Sequence, residues 1–464
     1  GCCDPMTRVV VVGAGITGAA AAYELTRHHG VDVEIREASA RVGGVITTSP
    51  FAGLDAVDEG ADAFLLRSPA AAELAAAVGL GTAGEGLVSP TGASAAIWVN
   101  GLHPLPAGLM LGVPTAPVAL ARTGLFGPRG IVRAAGDLVR RHEPRDHDSI
   151  GRWARHRFGN QVHDRLVDAL VGSIYAADCD RFSLAAVPQL ADLAGAGRSA
   201  TLTARRRRRG AAPAEGPIFA APRTGMRSLV DATIAAATAK GAQLTTSAPV
   251  SSLERSARGG YLIDGEPVDA VVLATPARVA AGIVAGVAAE PAQLLSSVAT
   301  ADVIMVTLAL PAGSLPAACH GRSGYLVPKS VQGRVTAVSF ASHKWAHWQP
   351  CDGSEILRVS IGRDGAPVDD LDDATATDVV LAEVGAHLGF NPAPTEVRVT
   401  RWMGAFPQYR PHHHQLVDAV QRGCPTGIAV AGSSYNGIGI PACVADGRRA
   451  AREVLSACGV VPVP

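Results

Sequence analysis

A strand pattern, Arg8 followed by the four valines Val9 to Val12, opens the chain, glycines follow, and small and apolar residues then recur at helical spacing from Thr17 to His28 before a second strand pattern at Val31 to Arg36. Strand, glycine turn, helix and strand in that order predict a βαβ unit and hence a parallel sheet at the start of the chain. From about Ala116 to Asp192 the pattern is mostly helical, with Arg and Asp on recurrent polar positions, which predicts a separate helical lobe. Residues 195–217, rich in Gly, Ala, Arg and Pro and including Arg205 to Arg209, read as a mobile solvated loop rather than an anionic docking patch. Strand patterns return at Gln243 to Leu253, Gly260 to Asp264 and Ala270 to Ala274, where the opening sheet is expected to be completed. Alternating segments at Val303 to Leu310, Arg334 to Ser339 and Ile356 to Ile361 predict a mixed or antiparallel sheet with helices packed on it. The chain closes on a strand (Ile428 to Ala431), a glycine-rich turn and a helix (Cys443 to Leu455), a second strand-turn-helix unit expected to fold back on the first domain.

The 464 residues are too many for one core and enough for two or three lobes. Lys and Arg (41) balance Asp and Glu (41), so the overall charge gives no sign of a nucleic-acid partner, and any anion binding must be local. Lysine occurs only at Lys240, Lys329 and Lys344, a skew toward arginine that reads as codon bias, although arginine also suits carboxylate and phosphate recognition. The eight cysteines form no C-x-x-C or paired spacing, which argues against a metal site and fits a reducing cytoplasm. Met6 reads as a native start, with the five residues before it as an extension. No apolar run reaches the roughly 20 residues of a spanning helix. The stretch from Gly86 to Ala121 carries no Asp, Glu, Lys or Arg but five prolines, so it can line an apolar pocket or touch a membrane surface without crossing it as a helix.

The segment Gly13-Ala14-Gly15-Ile16-Thr17-Gly18 is a G-x-G-x-x-G placed after a strand and opening a helix. Gly13 permits the tight turn, Gly15 lets the backbone approach a pyrophosphate, and Gly18 lets helix and strand pack closely, with the helix N-terminus facing the negative charge. Glu37 ends the next strand, 19 residues past Gly18, where a carboxylate can accept from ribose hydroxyls. Beyond it, Arg41, Gly43 and Gly44 separate FAD from NAD: the arginine and paired glycines resemble the segment by which many flavoproteins clamp the FAD pyrophosphate. Asp58 to Phe64 adds a glycine-bearing turn, and Gly432 to Pro441 puts small residues ahead of the last helix, whose N–H groups can face a flavin's carbonyl edge.

Internal segments resemble one family: Gly172-Ser173-Ile174-Tyr175-Ala176-Ala177-Asp178, Thr400-Arg401-Trp402 with Pro407-Gln408-Tyr409, Leu102 to Pro106, Gly324 to Pro328 and His343-Lys344-Trp345. The chain is similar from about residue 8 to 455 to the protoporphyrinogen/coproporphyrinogen oxidases, most of all to the soluble Gram-positive type that acts on coproporphyrinogen III. The resemblance implies an α/β fold: an FAD-binding Rossmann-like domain of the monoamine oxidase-like fold (6–85, 218–275, 420–464), a mixed α+β substrate domain (86–115, 276–419) and a helical lobe (116–217). Carried over by position, it implies FAD contacts at Gly13, Ala14, Gly15, Ile16, Thr17, Gly18, Glu37, Ala38, Arg41, Gly44, Val45, Gly60, Ala61, Asp62, Ala63, Val250, Trp402, Ser433, Ile438, Gly439 and Ile440. Arg67, Lys344 and Arg401 are candidates for the substrate's carboxylates, since the arginine that anchors a propionate in some relatives has no counterpart near Ala95. Arg410 to His414 stands where the family usually has Gly-His, and three adjacent histidines on an extended chain do not converge on a metal.

The resemblance further implies six-electron oxidation of a porphyrinogen with O2 as acceptor and hydrogen peroxide as by-product. No G-x-S-x-G, H-E-x-x-H or Walker A motif appears, and no catalytic side chain is assigned, because the flavin carries the redox step. Product hand-off to a ferrochelatase is compatible with this reading. Alternatives are a protoporphyrinogen oxidase, an FAD amine oxidase, which the 4% aromatic content disfavours, and a non-catalytic flavin- or haem-carrying protein.

Overall fold

Val9, Val10, Val11 and Val12 are all buried, and a strand buried on both faces belongs in the middle of a covered sheet. The computed structural model, which describes residues 6–106, 108–139, 148–196, 198–210 and 216–461, places it there. Thr7–Val12 is the central strand of a five-stranded parallel sheet ordered Gln243–Thr245, Val31–Arg36, Thr7–Val12, Ala270–Leu273, Ile428–Val430. One face is covered by the first helix (Ile16–Leu25) and the last (Ile440–Ala457), in a core that includes Ala19, Leu25, Val444 and Val454. The other face, with Val10, Val12, Val271 and Leu273, packs against a small three-stranded sheet and the helices Ala277–Val284 and Ala289–Ser296. The chain's end does return to its beginning.

The second sheet has seven strands in the order Glu396–Pro407, Thr300–Leu310, Glu355–Ile361, Val335–Phe340, Arg322–Leu326, Ser94–Trp98, Leu102–Pro104. All neighbours are antiparallel except Arg322–Leu326 with Ser94–Trp98, so the sheet is mixed. Helix Asp373–Leu388 seals it through Ala376, Val380 and Val384. The helical lobe has its own core around Trp153, Phe158, Leu166 and Phe182, and its segment His163–Gly172 winds as a wide π-helix. The charge-free stretch contributes edge strands and then packs on this lobe, where a Cβ on Gly112 would stand 2.7 Å from the Val167 Cα. Among the described residues no helix is long and apolar enough to cross a membrane.

Two expectations change. Arg205–Arg209 are exposed to solvent, but they lie in a helix, Ala200–Gly210, and not in a loop. Ser199 starts it: its hydroxyl accepts from the Leu202 N–H (3.1 Å) and donates to buried Asp137 (2.7 Å), which also takes the Thr201 N–H. Residues 197 and 211–215 of the expected loop lie outside the described residues. Gln243 to Leu253 is not one strand: Gln243–Thr245 edges the parallel sheet, the chain turns at Ser247 (φ 54°), and Leu253–Arg255 joins the small sheet.

Candidate functional site

The three glycines of the opening turn are required for different reasons. A Cβ on Gly13 (φ +100°) would stand 2.6 Å from the Ala274 carbonyl oxygen, and one on Gly18 would stand 1.9 Å from that of Gly13, so the fold itself demands both. Gly15 has an ordinary extended backbone (φ −73°, ψ 178°), and a Cβ there would meet nothing within 4 Å. Packing therefore does not explain Gly15; open space beside a helix start does. Gly15 caps the first helix without a side-chain bond, and the first turn, from Ile16 through Gly18, holds no acidic residue. Its N–H groups and the positive end of the helix dipole are left for an anion.

Glu37 leaves strand Val31–Arg36 beside this turn, and its carboxylate accepts from the Ala14 N–H (2.8 Å) and from the Ser39 N–H and hydroxyl (both 2.8 Å). The exposed Ala38 follows it. Residues 247 and 248 run alongside, bonded to Ser39 and Glu37, and half-buried Val250 stands two residues further on. Arg41 folds back on the Gly44 carbonyl (2.9 Å) and braces the second glycine turn. That turn abuts the first: the Gly43 N–H donates to the Ala14 carbonyl (2.9 Å), and a Cβ on Gly44 would lie 3.6 Å from the Gly15 Cα.

Val45 is exposed, and a Cβ on Gly60 would stand 3.1 Å from the Val45 carbonyl and 3.2 Å from the Trp402 ring. Val45, Gly60 and Trp402 thus meet, with the Trp402 indole N–H toward the Glu59 carbonyl (3.3 Å). Next to them, beyond Ala61, Asp62 accepts from Lys344 (2.7 Å) and Trp345 (3.2 Å) and lies 3.3 Å from Arg358, while Ala63 packs against the main core. Burial alone would raise the Asp62 carboxyl, but Lys344 and Arg358 hold it down at about 2.

The last helix begins at Ile440 with Gly439 as its cap, again without a side-chain bond or an acid in its first turn. It meets the first helix at Thr17, whose hydroxyl lies beside the Cys443 thiol and 3.7 Å from where a Cβ on Gly432 would be, and whose carbonyl lies 2.2 Å from where a Cβ on Gly447 would be. Two open helix starts, from opposite ends of the chain, therefore share one neighbourhood. The loop between last strand and last helix, which carries Ser433 and leads to Ile438, is fixed by Asp446: its carboxylate accepts from the Gly432 N–H and the Asn436 amide, both at 2.8 Å. Asp446 and Arg358 escaped the sequence reading; a buried acid inside a helix that opens on small residues was the available signal for Asp446.

Of the candidate carboxylate anchors, Arg67 is exposed just past strand Phe64–Leu65 and makes no side-chain hydrogen bond or ion pair among the described residues. Lys344 joins the site through Asp62. Arg401 is turned to Asp373 (2.7 Å) and the Leu371 carbonyl (2.7 Å), away from the glycine turns. The three histidines separate: His413 is buried and stacks on Tyr409 (4.1 Å between centroids), while His412 and His414 are exposed.

The model of the family described as flavin containing amine oxidoreductase matches residues 16–455. The coproporphyrinogen III oxidase of Bacillus subtilis is 30% identical over 98% of this chain and 99% of its own length. That of Mycobacterium tuberculosis is 33% identical over 96% of this chain and 97% of its own. A solved structure described as a putative protoporphyrinogen oxidase from Exiguobacterium superposes with a TM-score of 0.84 at 27% identity, covering 97% of this chain and 98% of that one. Cyclohexylamine oxidase from Brevibacterium oxydans, at 18% identity and a TM-score of 0.66 over 98% of this chain and all of its own, shares the fold. With its two uncapped helix starts, its paired glycine turns and a match that spans nearly its whole length, the chain belongs to the flavin-containing amine oxidoreductase family.

Proposed function

We propose that this protein is an FAD-dependent oxidase that converts coproporphyrinogen III to coproporphyrin III with O2 as acceptor, a six-electron step of haem synthesis carried out in the cytoplasm. The observation that carries the reading is the meeting of the two helix starts at Thr17, beside the open space at Gly15, in a chain about a third identical over its length to coproporphyrinogen III oxidases. Such a place would hold a dinucleotide's pyrophosphate at Gly15 to Gly18 and its ribose at Glu37, and Val45, Gly60, Trp402 and the 433–440 segment would line its ring system. FAD, when bound, supplies a two-electron acceptor that O2 restores with release of hydrogen peroxide.

The protein's part is positioning and water exclusion. A porphyrinogen bridge carbon lies between electron-rich pyrroles, so the positive charge left when hydride departs is delocalised and needs no strong base. The acids around the site are indeed engaged: Glu37 by backbone N–H groups, Asp62 by two cations, Asp446 by the loop it holds. Arg67, whose guanidinium has no partner among the described residues, is the strongest of the three candidates for a substrate carboxylate, with Lys344 and Arg401 already in ion pairs. The reading leaves room for hand-off to a ferrochelatase.

The test is direct. Gently purified protein is expected to be yellow, to turn coproporphyrinogen III fluorescent in air with formation of hydrogen peroxide, and to turn over protoporphyrinogen IX more slowly. A chain that carries no flavin, or that prefers protoporphyrinogen, overturns the assignment.

A further inference from the structure

The loop that opens the last helix is gripped from two sides. Asp446 holds it from the helix, bonding Gly432 and Asn436. From the other side comes Tyr409, at the exit of the long strand Glu396–Pro407 of the second sheet. Its hydroxyl donates to the Ser433 carbonyl and accepts from the Gly437 N–H (3.0 Å), so one oxygen spans the loop. Burial raises the phenol's ionisation well above its ordinary range, which keeps the donated proton in place.

Tyr409 is itself fixed by packing. The His413 ring stacks on one side (4.1 Å, 16° between planes), and the Phe182 ring lies 5.7 Å away at 27°. Phe182 in turn packs on Tyr175 (4.8 Å), whose carbonyl accepts from the Gln408 amide (3.0 Å), and the Ser183 N–H donates to the Tyr409 carbonyl (2.7 Å). A row of rings thus joins the helical lobe to the loop.

We propose that Tyr409 is a positioning residue for the flavin: its hydroxyl sets the spacing of Ser433 and Gly437 before the cofactor arrives and so pre-forms the N–H array at the start of the last helix. The inference rests on the reading of the 433–440 segment as a flavin contact. Gly432 and Gly437 both have positive φ (131° and 134°), and an unstapled loop with two such glycines would have to be ordered by the cofactor itself. Ordering it in advance strengthens binding without any direct contact to the ligand.

The experiment compares the full-length chain with Tyr409→Phe, which keeps the ring and removes the oxygen. FAD is titrated into each apoprotein by flavin fluorescence, and the reduction potential of the bound flavin is measured. The dissociation constant is expected to rise about tenfold, the potential to fall as the N–H groups loosen, and the holoprotein's melting temperature to drop more than the apoprotein's. Equal affinity and equal potential in the two proteins overturn the inference while leaving the flavin reading intact. If the unaltered chain takes no FAD, the flavin reading fails first and this inference with it. Should Tyr409→Phe not fold, hydrogen exchange at the Gly437 amide of the unaltered apoprotein decides: slow exchange supports the staple, and exchange at the rate of a free loop refutes it.

Discussion

Thr17 and Gly447 face each other across the first and last helices with no room for a side chain: a Cβ on Gly447 would stand 2.2 Å from the Thr17 carbonyl oxygen and 3.2 Å from the Ala21 nitrogen. The contact sets the separation of the two helices and hence of their open starts. Gly447→Ala gains a little helix propensity but forces backbone from backbone, and it is expected to cost about 1–3 kcal/mol. Urea unfolding of the two proteins measures this; an unchanged or higher midpoint would show that the helices can part freely.

Gly15→Val separates folding from cofactor binding. The backbone at Gly15 suits any residue and the space beside it is empty, so the apoprotein is expected to melt within a few degrees of the unaltered chain. The side chain would fill the place of the pyrophosphate, and flavin absorbance after desalting should fall to background. Retained flavin would remove the pyrophosphate from this turn.

Asp58 gives a pH signature of unusual sign. Burial pushes its carboxyl up to about 6 against the opposing effect of bonds from Thr48 and the Met226 N–H (2.8 Å), and its other oxygen is buried without a partner among the described residues. Because the folded value lies above that of the unfolded chain, near 3.9, the folded chain keeps its proton where the unfolded chain has lost it. The stabilisation is complete below about pH 4, declines as pH rises to about 6 and is absent above, a span on the order of 3 kcal/mol. Asp58→Asn cannot ionise, so its stability relative to the unaltered protein should improve across that window. Parallel unfolding curves at pH 4 and 7 would contradict this.

Arg67→Ala should raise KM for coproporphyrinogen III about three- to tenfold with little change in kcat, the effect of losing one solvent-exposed carboxylate contact. Lys344→Met should act elsewhere, lowering stability by about 1–3 kcal/mol because Asp62 loses one of its two cations. Steady-state kinetics joined to unfolding data distinguish the two; a KM effect confined to Lys344→Met would exchange their roles.

The beginning and end of the chain were legible because local chemistry dictates them. Val9 to Val12 can only be an inner strand, and Gly13 and Gly18 sit where any side chain would collide with backbone. What escaped depends on distant partners. The arginine run reads as a loop from its glycine- and proline-rich flanks, yet Ser199 and Asp137, 62 residues apart, start a helix through it. Lys344 and Arg401 look alike as free cations in the sequence and differ only because Asp62 and Asp373 reach them in space. Tyr409 stood in a recognisable segment, but nothing local says that its oxygen would span a loop that begins 24 residues later.

The order of the parallel sheet bears on how the molecule is made. Among the described residues, Ala270–Leu273, whose four residues are all buried, pairs on its outer edge with Ile428–Val430 alone. A nascent polypeptide halted before Ile428 would display that strand as a bare, greasy ledge, open to pairing with another chain. Biogenesis therefore carries its greatest aggregation hazard late, and premature stop codons just before Ile428 should yield inclusion bodies in place of a yellow, flavin-loaded protein.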